Sequence, residues 1–343
     1  MTQTARLLRI VGSPFMFETE SPRNNQEVMS LYYRAVKNRM PLLYLTAIKK
    51  WNKLGKLKQT YIDIHGRSQS TYDAMLRLSA ILREAAIEYA LFKTVRPYLE
   101  TTVDIDVIIL EQGEDYKRSI SRMNGAGYER LGHGPNSITF KDPYLNIGVD
   151  LYREVAVSQV IYLDKDKIRQ HVIEKNIGPN GETIRTLSPP ADLIAIIAHS
   201  MIKEQMYTLS EYYSTLYFLV QMDSRDLETF IGMIYENALT NSARVHIGIT
   251  AQLHEIAHGT IPEKIRKILY NLQLDPIEIH RSKTAEAPYK FHILTVGKAL
   301  WEKIRVEEKA RKSISRQIES MLDPSFSKVA LSRFIGHVLR EAY

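Results

Sequence analysis

Val103-Asp104-Ile105-Asp106-Val107-Ile108-Ile109-Leu110 sets two acids two residues apart in a β-branched, apolar run. Such a run reads as a buried strand. Side chains alternate across a strand, so Asp104 and Asp106 point to one face. Two carboxylates that close repel each other unless a proton or a cation sits between them. A later run, Asn146-Ile147-Gly148-Val149-Asp150-Leu151-Tyr152, reads as another strand with one acid. Three acids on neighbouring strands form a site for hard divalent cations such as Mg²⁺, which take oxygen ligands and bring phosphates with them. An acid pair at a solvated strand end would give the same short pattern. The four apolar residues after Asp106 argue instead for a central strand, where a carboxylate needs a partner.

The flanks supply more elements. Tyr72, Met75, Leu76, Ser79, Leu82 and Ala86 predict an amphipathic helix over 70–86. A strand Tyr89 to Phe92 follows, then a turn at Lys93-Thr94 and an extended stretch Arg96 to Glu100. Beyond the acid strand, the pattern predicts a helix over 114–124 and a hairpin from Tyr128–Leu131 and Ser137–Lys141 around His133-Gly134-Pro135-Asn136. Residues 155–187 are ambiguous, with a turn at Gly178-Pro179-Asn180-Gly181. After Ser188-Pro189-Pro190, with Ser188 as N-cap, helices are expected near 190–206, 208–222, 225–239, 242–258, 262–271, 290–318 and 326–341. Upstream, residues 1–24 look irregular, and a helical pattern runs from Gln26 to Leu54 with a kink or break at Pro41.

The run Glu88-Tyr89-Ala90-Leu91-Phe92-Lys93-Thr94-Val95-Arg96-Pro97-Tyr98, followed by Thr102-Val103-Asp104-Ile105-Asp106-Val107-Ile108, resembles the core of the DNA polymerase β-like nucleotidyltransferase superfamily. It is most similar to the uncharacterised minimal nucleotidyltransferases of archaea and bacteria. Val149-Asp150-Leu151 matches the family's third acid, and Thr186-Leu187-Ser188-Pro189-Pro190-Ala191-Asp192-Leu193 with His199 resembles the opening of its helical region. The resemblance covers about residues 70–225. It implies that Asp104, Asp106 and Asp150 are catalytic and hold Mg²⁺, with an NTP as substrate. It implies that Lys93, Thr94 and Arg96 contact the phosphates. Where the family carries Gly-Ser or Gly-Gly at the phosphate turn, this chain has Lys93-Thr94.

Charge points to a partner. The chain carries a net +7 with a pI near 9.2, which favours a polyanion. From Leu31 to Gln69 the bases are Arg34, Lys37, Arg39, Lys49, Lys50, Lys53, Lys56, Lys58 and Arg67, against the single acid Asp63. That region alone therefore holds the positive field. Tyr32, Tyr33, Tyr44, Trp51 and Tyr61 are interleaved with it and suit base stacking on RNA. Tyr44 and Trp51 fall near the apolar stripe and read better as buried. A second set of bases, Lys298 to Arg316, alternates with Glu302, Glu307 and Glu308 and reads as i,i+4 pairing on a solvated face.

Other chemistry is thinner. With no cysteine the chain has no thiol nucleophile, disulfide or zinc–thiolate site. No G-x-S-x-G supports a serine hydrolase. His254-Glu255-Ile256-Ala257-His258 matches H-E-x-x-H, but only Glu263 offers a nearby third ligand, and a pair of structural histidines is the better reading. His199 on an apolar helix reads as a satisfied core histidine.

The expectation is an α+β protein with a polymerase β-like nucleotidyltransferase core, a mixed sheet with helices on one face. Three units are expected: a basic helical N-terminal extension (1–69), the core (70–187) and a helical C-terminal domain (188–343). The expected reaction moves an NMP from an NTP to an acceptor hydroxyl, the acceptor being RNA such as tRNA or rRNA. The alternative is a non-catalytic RNA- or ribosome-binding protein on the same fold. No apolar run approaches a membrane span and no signal peptide opens the chain, so a cytoplasmic location is expected. The abundance of Ile, Tyr, Lys, Arg and Glu without Cys suits an archaeal or other thermophilic source.

Overall fold

The acid strand lies inside a sheet. The computed structural model describes residues 2–102, 104–111, 113–177, 181–274, 286–320 and 322. The chain opens with α1 (Gln3–Val11), α2 (Asn25–Lys37), α3 (Pro41–Lys50) and α4 (Lys58–Glu84). The sheet strands and their helices come next: β1 (Tyr89–Leu91), β2 (Asp104–Ile109), α5 (Glu114–Gly125), β3 (Glu129–His133), β4 (Ser137–Lys141) and β5 (Gly148–Tyr152). A small hairpin β6 (Val155–Val157) and β7 (Val160–Leu163), then α6 (Lys165–Arg169), lead to β8 (Val172–Asn176) and β9 (Thr183–Leu187). The rest is almost wholly helical: α7 (Pro189–Ala198), β10 (Met206–Tyr207), α8 (Leu209–Gln221), α9 (Ser224–Glu236), α10 (Thr240–His258), α11 (Glu263–Asn271), β11 (Tyr289–Lys290), α12 (Ile293–Val306) and α13 (Glu308–Ser320).

Among the described residues the main sheet has seven strands in the order β3-β4-β5-β2-β1-β9-β8. It is mixed: β2 pairs parallel with β5 and antiparallel with β1, and β1 pairs parallel with β9. The alternation of β2 sorts its side chains cleanly. Ile105, Val107 and Ile109 join Val149 and Leu151 in a core with Met75, Leu78 and Leu82 of α4 and Met123 of α5. Ile108 and Tyr152 join the other core with Ala90, Phe92 and the apolar residues of α7 to α10. Helices therefore cover both faces of the sheet, a correction to the expectation of one. The acids lie on the second face.

The N-terminal helices share that second core. Leu7, Leu8 and Ile10 of α1, Leu31 of α2 and Tyr44 and Ile48 of α3 pack with the C-terminal helices. The sequence predicts irregular chain over 1–24, yet α1 is a well-made helix. Thr2 caps it by accepting from the Ala5 N–H at 3.2 Å. Gly12, Pro14 and Pro22 punctuate the segment between α1 and α2 and leave α1 itself intact. Pro41 does divide the 26–54 pattern, sitting at the first turn of α3, where a missing N–H costs nothing. Tyr44 is fully buried as expected, whereas Trp51, at the end of α3, is 41% exposed.

Four further differences have local causes. Helix α4 begins twelve residues before the predicted position 70, because its first half has only Tyr61, Ile62 and Ile64 as apolar side chains, too short a stripe to read. Ser188 holds the N-cap conformation but its hydroxyl makes no bond; Pro189 and Pro190 have no N–H to offer it, and the Ala191 N–H is not engaged. The predicted helix 290–318 is split at Glu307, whose backbone is extended. Lys303, expected on a solvated face, is buried against Glu307 at 3.0 Å. The predicted helix 326–341 and the turn residues 178–180 lie outside the described residues.

Candidate active site

The register of β2 and β5 builds the site. Asp106 stands opposite Asp150, and Asp104 opposite Gly148, in a parallel pair, so all three acids share one face. A cleft of about 750 Å³ opens over this face. Asp104, Asp106, Lys93, Thr94 and Arg96 line it from the sheet side. Arg39 and Pro41, from the α2–α3 junction, and Arg67 of α4 also line it. So do His199, Lys203 and Glu204, carried on a π-helical turn that continues α7 from His199 to Glu204. Turns of that kind recur at functional sites.

The three carboxylates are held differently. Asp150 accepts a hydrogen bond from the Thr139 hydroxyl at 2.6 Å and a long one from the Tyr152 phenol at 3.5 Å. That phenol in turn accepts from the Lys203 ammonium at 2.9 Å. Asp106 pairs with the Lys93 ammonium at 3.2 Å. Asp104 makes no hydrogen bond or ion pair among the described residues. Burial, then the charges of Asp106 and Asp150, push its carboxyl up to about 7. Burial and the nearby cations Lys93, Lys203, Arg39 and Arg96 hold His199 neutral. His199 is thus a cleft wall, not the enclosed core histidine that its apolar helix suggested.

The phosphate turn is built tightly. Lys93 has φ +60°, a left-handed conformation that costs a non-glycine residue on the order of 1–3 kcal/mol. Its N–H donates to the buried Asp192 carboxylate at 2.6 Å, which fixes the turn against α7. The Thr94 hydroxyl donates to the Phe92 carbonyl at 3.2 Å and accepts from the Asp106 N–H at 2.8 Å. The resemblance gives that hydroxyl to a phosphate; here the backbone uses it. Arg96 donates to the Ser214 hydroxyl at 2.6 Å at the cleft edge. Arg67 is exposed, and its guanidinium has no partner among the described residues.

No group of three or more His, Asp and Glu side chains among the described residues is arranged to hold a metal ion. The three acids share a face without forming a finished ligand cage, because Lys93 stands against Asp106 and two hydroxyls hold Asp150. The donor chemistry still suits a hard divalent ion. All the donors are carboxylate oxygens, one carboxylate is open, and burial with the repulsion from Asp106 and Asp150 outweighs the relief that Lys93 and Lys203 give Asp104.

The expected RNA-binding bases divide. Arg34 is tied to Glu286 and to the Ala287 carbonyl, and Arg39 pairs with Glu204 at 2.9 Å. Lys37, Lys50, Lys56 and Lys58 are exposed, and Lys53 is half-buried. Lys49 lies 4.6 Å over the Tyr61 ring. Sequence reasoning missed Lys203 and Glu204, since nothing in a helical pattern announces a π turn. It marked Arg67 only as part of the basic region.

The H-E-x-x-H helix lies elsewhere. His254 is fully buried, with Nε2 bonded to the Ser13 hydroxyl at 2.9 Å and Nδ1 to the Thr260 carbonyl at 2.6 Å. His258 packs its ring 4.8 Å from that of His254.

No protein-family model and no curated protein matches the chain. Similar solved structures include an antigenic nucleotidyltransferase-like protein from Paracoccidioides brasiliensis, 14% identical, over 48% of this chain and 87% of that one. They also include the STING-associated CdnE c-di-GMP synthase from Capnocytophaga granulosa, 14% identical, over 92% of this chain and all of that one. Both superpose with a TM-score of 0.30. Superposition that loose carries neither a family nor an activity, so function rests on the residues of the cleft. Among the described residues no helix is long and apolar enough to cross a membrane.

Proposed function

We propose that this chain is a nucleotidyltransferase that moves a nucleoside monophosphate from an NTP to an acceptor hydroxyl. The observation that carries this is the parallel register of β2 and β5, which sets Asp104, Asp106 and Asp150 on one face beneath a cation-walled cleft. The acceptor oxygen attacks the α-phosphorus, the bond to the bridging oxygen breaks, and pyrophosphate leaves. Arg67, Lys203 and Arg96, all lining the cleft, are the cations we assign to the phosphates. A divalent ion held by Asp104, Asp106 and Asp150 would polarise the phosphoryl oxygens and offset their charge. Asp150, fixed by Thr139 and Tyr152, is the carboxylate we assign to the acceptor's proton.

RNA is the acceptor class we favour. Helix α4 carries Arg67 into the cleft and Lys58 nine residues earlier, about 14 Å back along the axis at an ordinary helical rise. Lys50, Lys56 and Lys58, at the end of α3 and the start of α4, are exposed cations available to a phosphate backbone. A second reading, RNA binding without turnover, is favoured by the Lys93 ammonium already set against Asp106. Incubation with labelled NTPs, Mg²⁺ and total RNA tests the first: label enters RNA in the wild type and not in Asp104→Asn. RNA bound but never labelled would give the second.

A further inference from the structure

Three lysines are buried among the described residues, and they are not alike. The Lys165 ammonium donates to three backbone carbonyls, those of Arg153, Ile109 and Glu111, at 2.9, 3.2 and 3.3 Å. Lys303 donates to the Asn237 carbonyl at 2.7 Å and pairs with Glu307 at 3.0 Å. Both are locked into structure by several partners. Lys93 is also buried, with 5% of its side chain exposed, yet among the described residues its ammonium has a single oxygen partner, Asp106. Its other near neighbours are the Phe92 ring at 4.7 Å and the Tyr152 ring at 5.7 Å. An ammonium carries three donors, so this one is under-bonded for its burial.

The backbone points the same way. Position 93 has a glycine conformation held by Asp192, and a lysine there adds strain and a buried charge. Neither cost helps the turn itself, which glycine would make more easily. What the side chain adds is a positive charge beside Asp106, on the face shared with Asp104 and Asp150. A second anion is within the field of that charge: Glu204, which lines the same cleft. Phosphates entering the cleft would be a third.

We propose that Lys93 is a tethered cation occupying the place of a divalent ion against Asp106, and that its ammonium must leave Asp106 before Asp104 and Asp106 can hold that ion together. This rests on the nucleotidyltransferase reading and adds a control to it. Metal binding is opposed in the resting protein and favoured when an incoming triphosphate offers Lys93 another anion.

The test is Mn²⁺ binding to the full chain, read from the electron paramagnetic resonance of free Mn²⁺ at one neutral pH. Wild type is compared with Lys93→Gly, which suits the left-handed backbone, and Lys93→Met, which keeps the side-chain length without its charge. Asp104→Asn gives the background. Both Lys93 variants should bind Mn²⁺ about tenfold more tightly than wild type, or more, because a like charge beside the ion is gone. A non-hydrolysable NTP should tighten Mn²⁺ binding in wild type more than in either variant. Equal or weaker Mn²⁺ binding in both variants overturns the inference while leaving the transferase reading standing. No binding above background in wild type and both variants overturns the two together. Mn²⁺ binding as expected, with no label transferred to any acceptor, keeps the inference and removes the transferase reading.

Discussion

The chain contains two short patterns of metal-binding residue types, Asp104-Ile105-Asp106 and His254-Glu255-Ile256-Ala257-His258, and the fold treats them in opposite ways. In the helix pattern both His254 nitrogens are spent inside the protein, on Ser13 and Thr260. Burial, then His254 and Arg9, hold His258 down to about 4, so that ring is a neutral packing element. In the strand pattern the carboxylates meet a cleft, and one of them has no partner among the described residues. A buried polar group finds a hydrogen bond wherever the fold has no other use for it. The leftover donor capacity, not the spacing of the motif, separates a candidate site from a structural pair.

The largest test of this contrast is Asp104→Asn. The substitution keeps the shape and removes the open charge, so transfer should fall on the order of a thousandfold, the scale of losing one charge-stabilising group. RNA affinity should hardly move. Transfer that survives in Asp104→Asn would put the chemistry elsewhere. The complementary change is the triple reversal Lys49→Glu, Lys50→Glu and Lys53→Glu. It should weaken RNA binding and flatten its salt dependence by roughly one slope unit for each phosphate that is no longer neutralised. RNA binding that ignores all three would remove this region from the acceptor path.

Much of the strand region is legible in the sequence because its signals are local. Period-two alternation places Asp104 and Asp106 on one face, and Asp150 repeats the pattern on the strand that proves to be the parallel neighbour. The illegible part depends on residues far apart in the chain. Lys203 reaches the site only because α7 continues into a π turn, and Arg39 only because α2 and α3 fold back beside the cleft. The fate of the Thr94 hydroxyl depends on the Asp106 N–H, twelve residues on. The first half of α4 offers only Tyr61, Ile62 and Ile64 as apolar side chains and becomes helical ahead of the buried stripe that Thr71, Ala74 and Leu78 anchor.

The cleft wall supplies a smaller test. Helix α3 lacks a side-chain cap of its own, and Glu100 takes the role, accepting from the Leu42 and Leu43 N–H groups at 3.3 Å and from the Thr101 N–H at 2.9 Å. Burial outweighs these bonds and pushes the Glu100 carboxyl up to about 7. A carboxyl raised in the fold binds its proton more tightly there than in the unfolded chain. Stability from this group is therefore greatest below the unfolded value near 4.5 and declines as pH rises toward about 7. Glu100→Gln cannot ionise. Relative to wild type its stability should improve by about 1–3 kcal/mol between pH 5 and pH 8, as read by denaturant unfolding. A difference constant with pH would mean that Glu100 is not buried against α3, and that this wall of the cleft is looser than its three N–H bonds indicate.

The smallest effects belong to the helix pattern, and they are unequal. His254 bridges Ser13, in the segment after α1, to the loop after α10, so His254→Ala removes one buried and one part-buried hydrogen bond and takes a partner from the Ser13 hydroxyl and the Thr260 carbonyl. The cost should be about 1–3 kcal/mol. His258 has a buried Nε2 with no hydrogen bond, so its truncation gives up ring packing alone and should cost under about 1 kcal/mol. A catalytic or metal-binding pair would behave otherwise. Two ligands of one ion lose it together, so both variants would be affected alike and the loss would appear only with zinc present. Unfolding curves with zinc and with a chelator should superpose for wild type and for both variants. A zinc-dependent midpoint in wild type, lost equally in His254→Ala and His258→Ala, would make the helix a metal site and collapse the contrast with the strand.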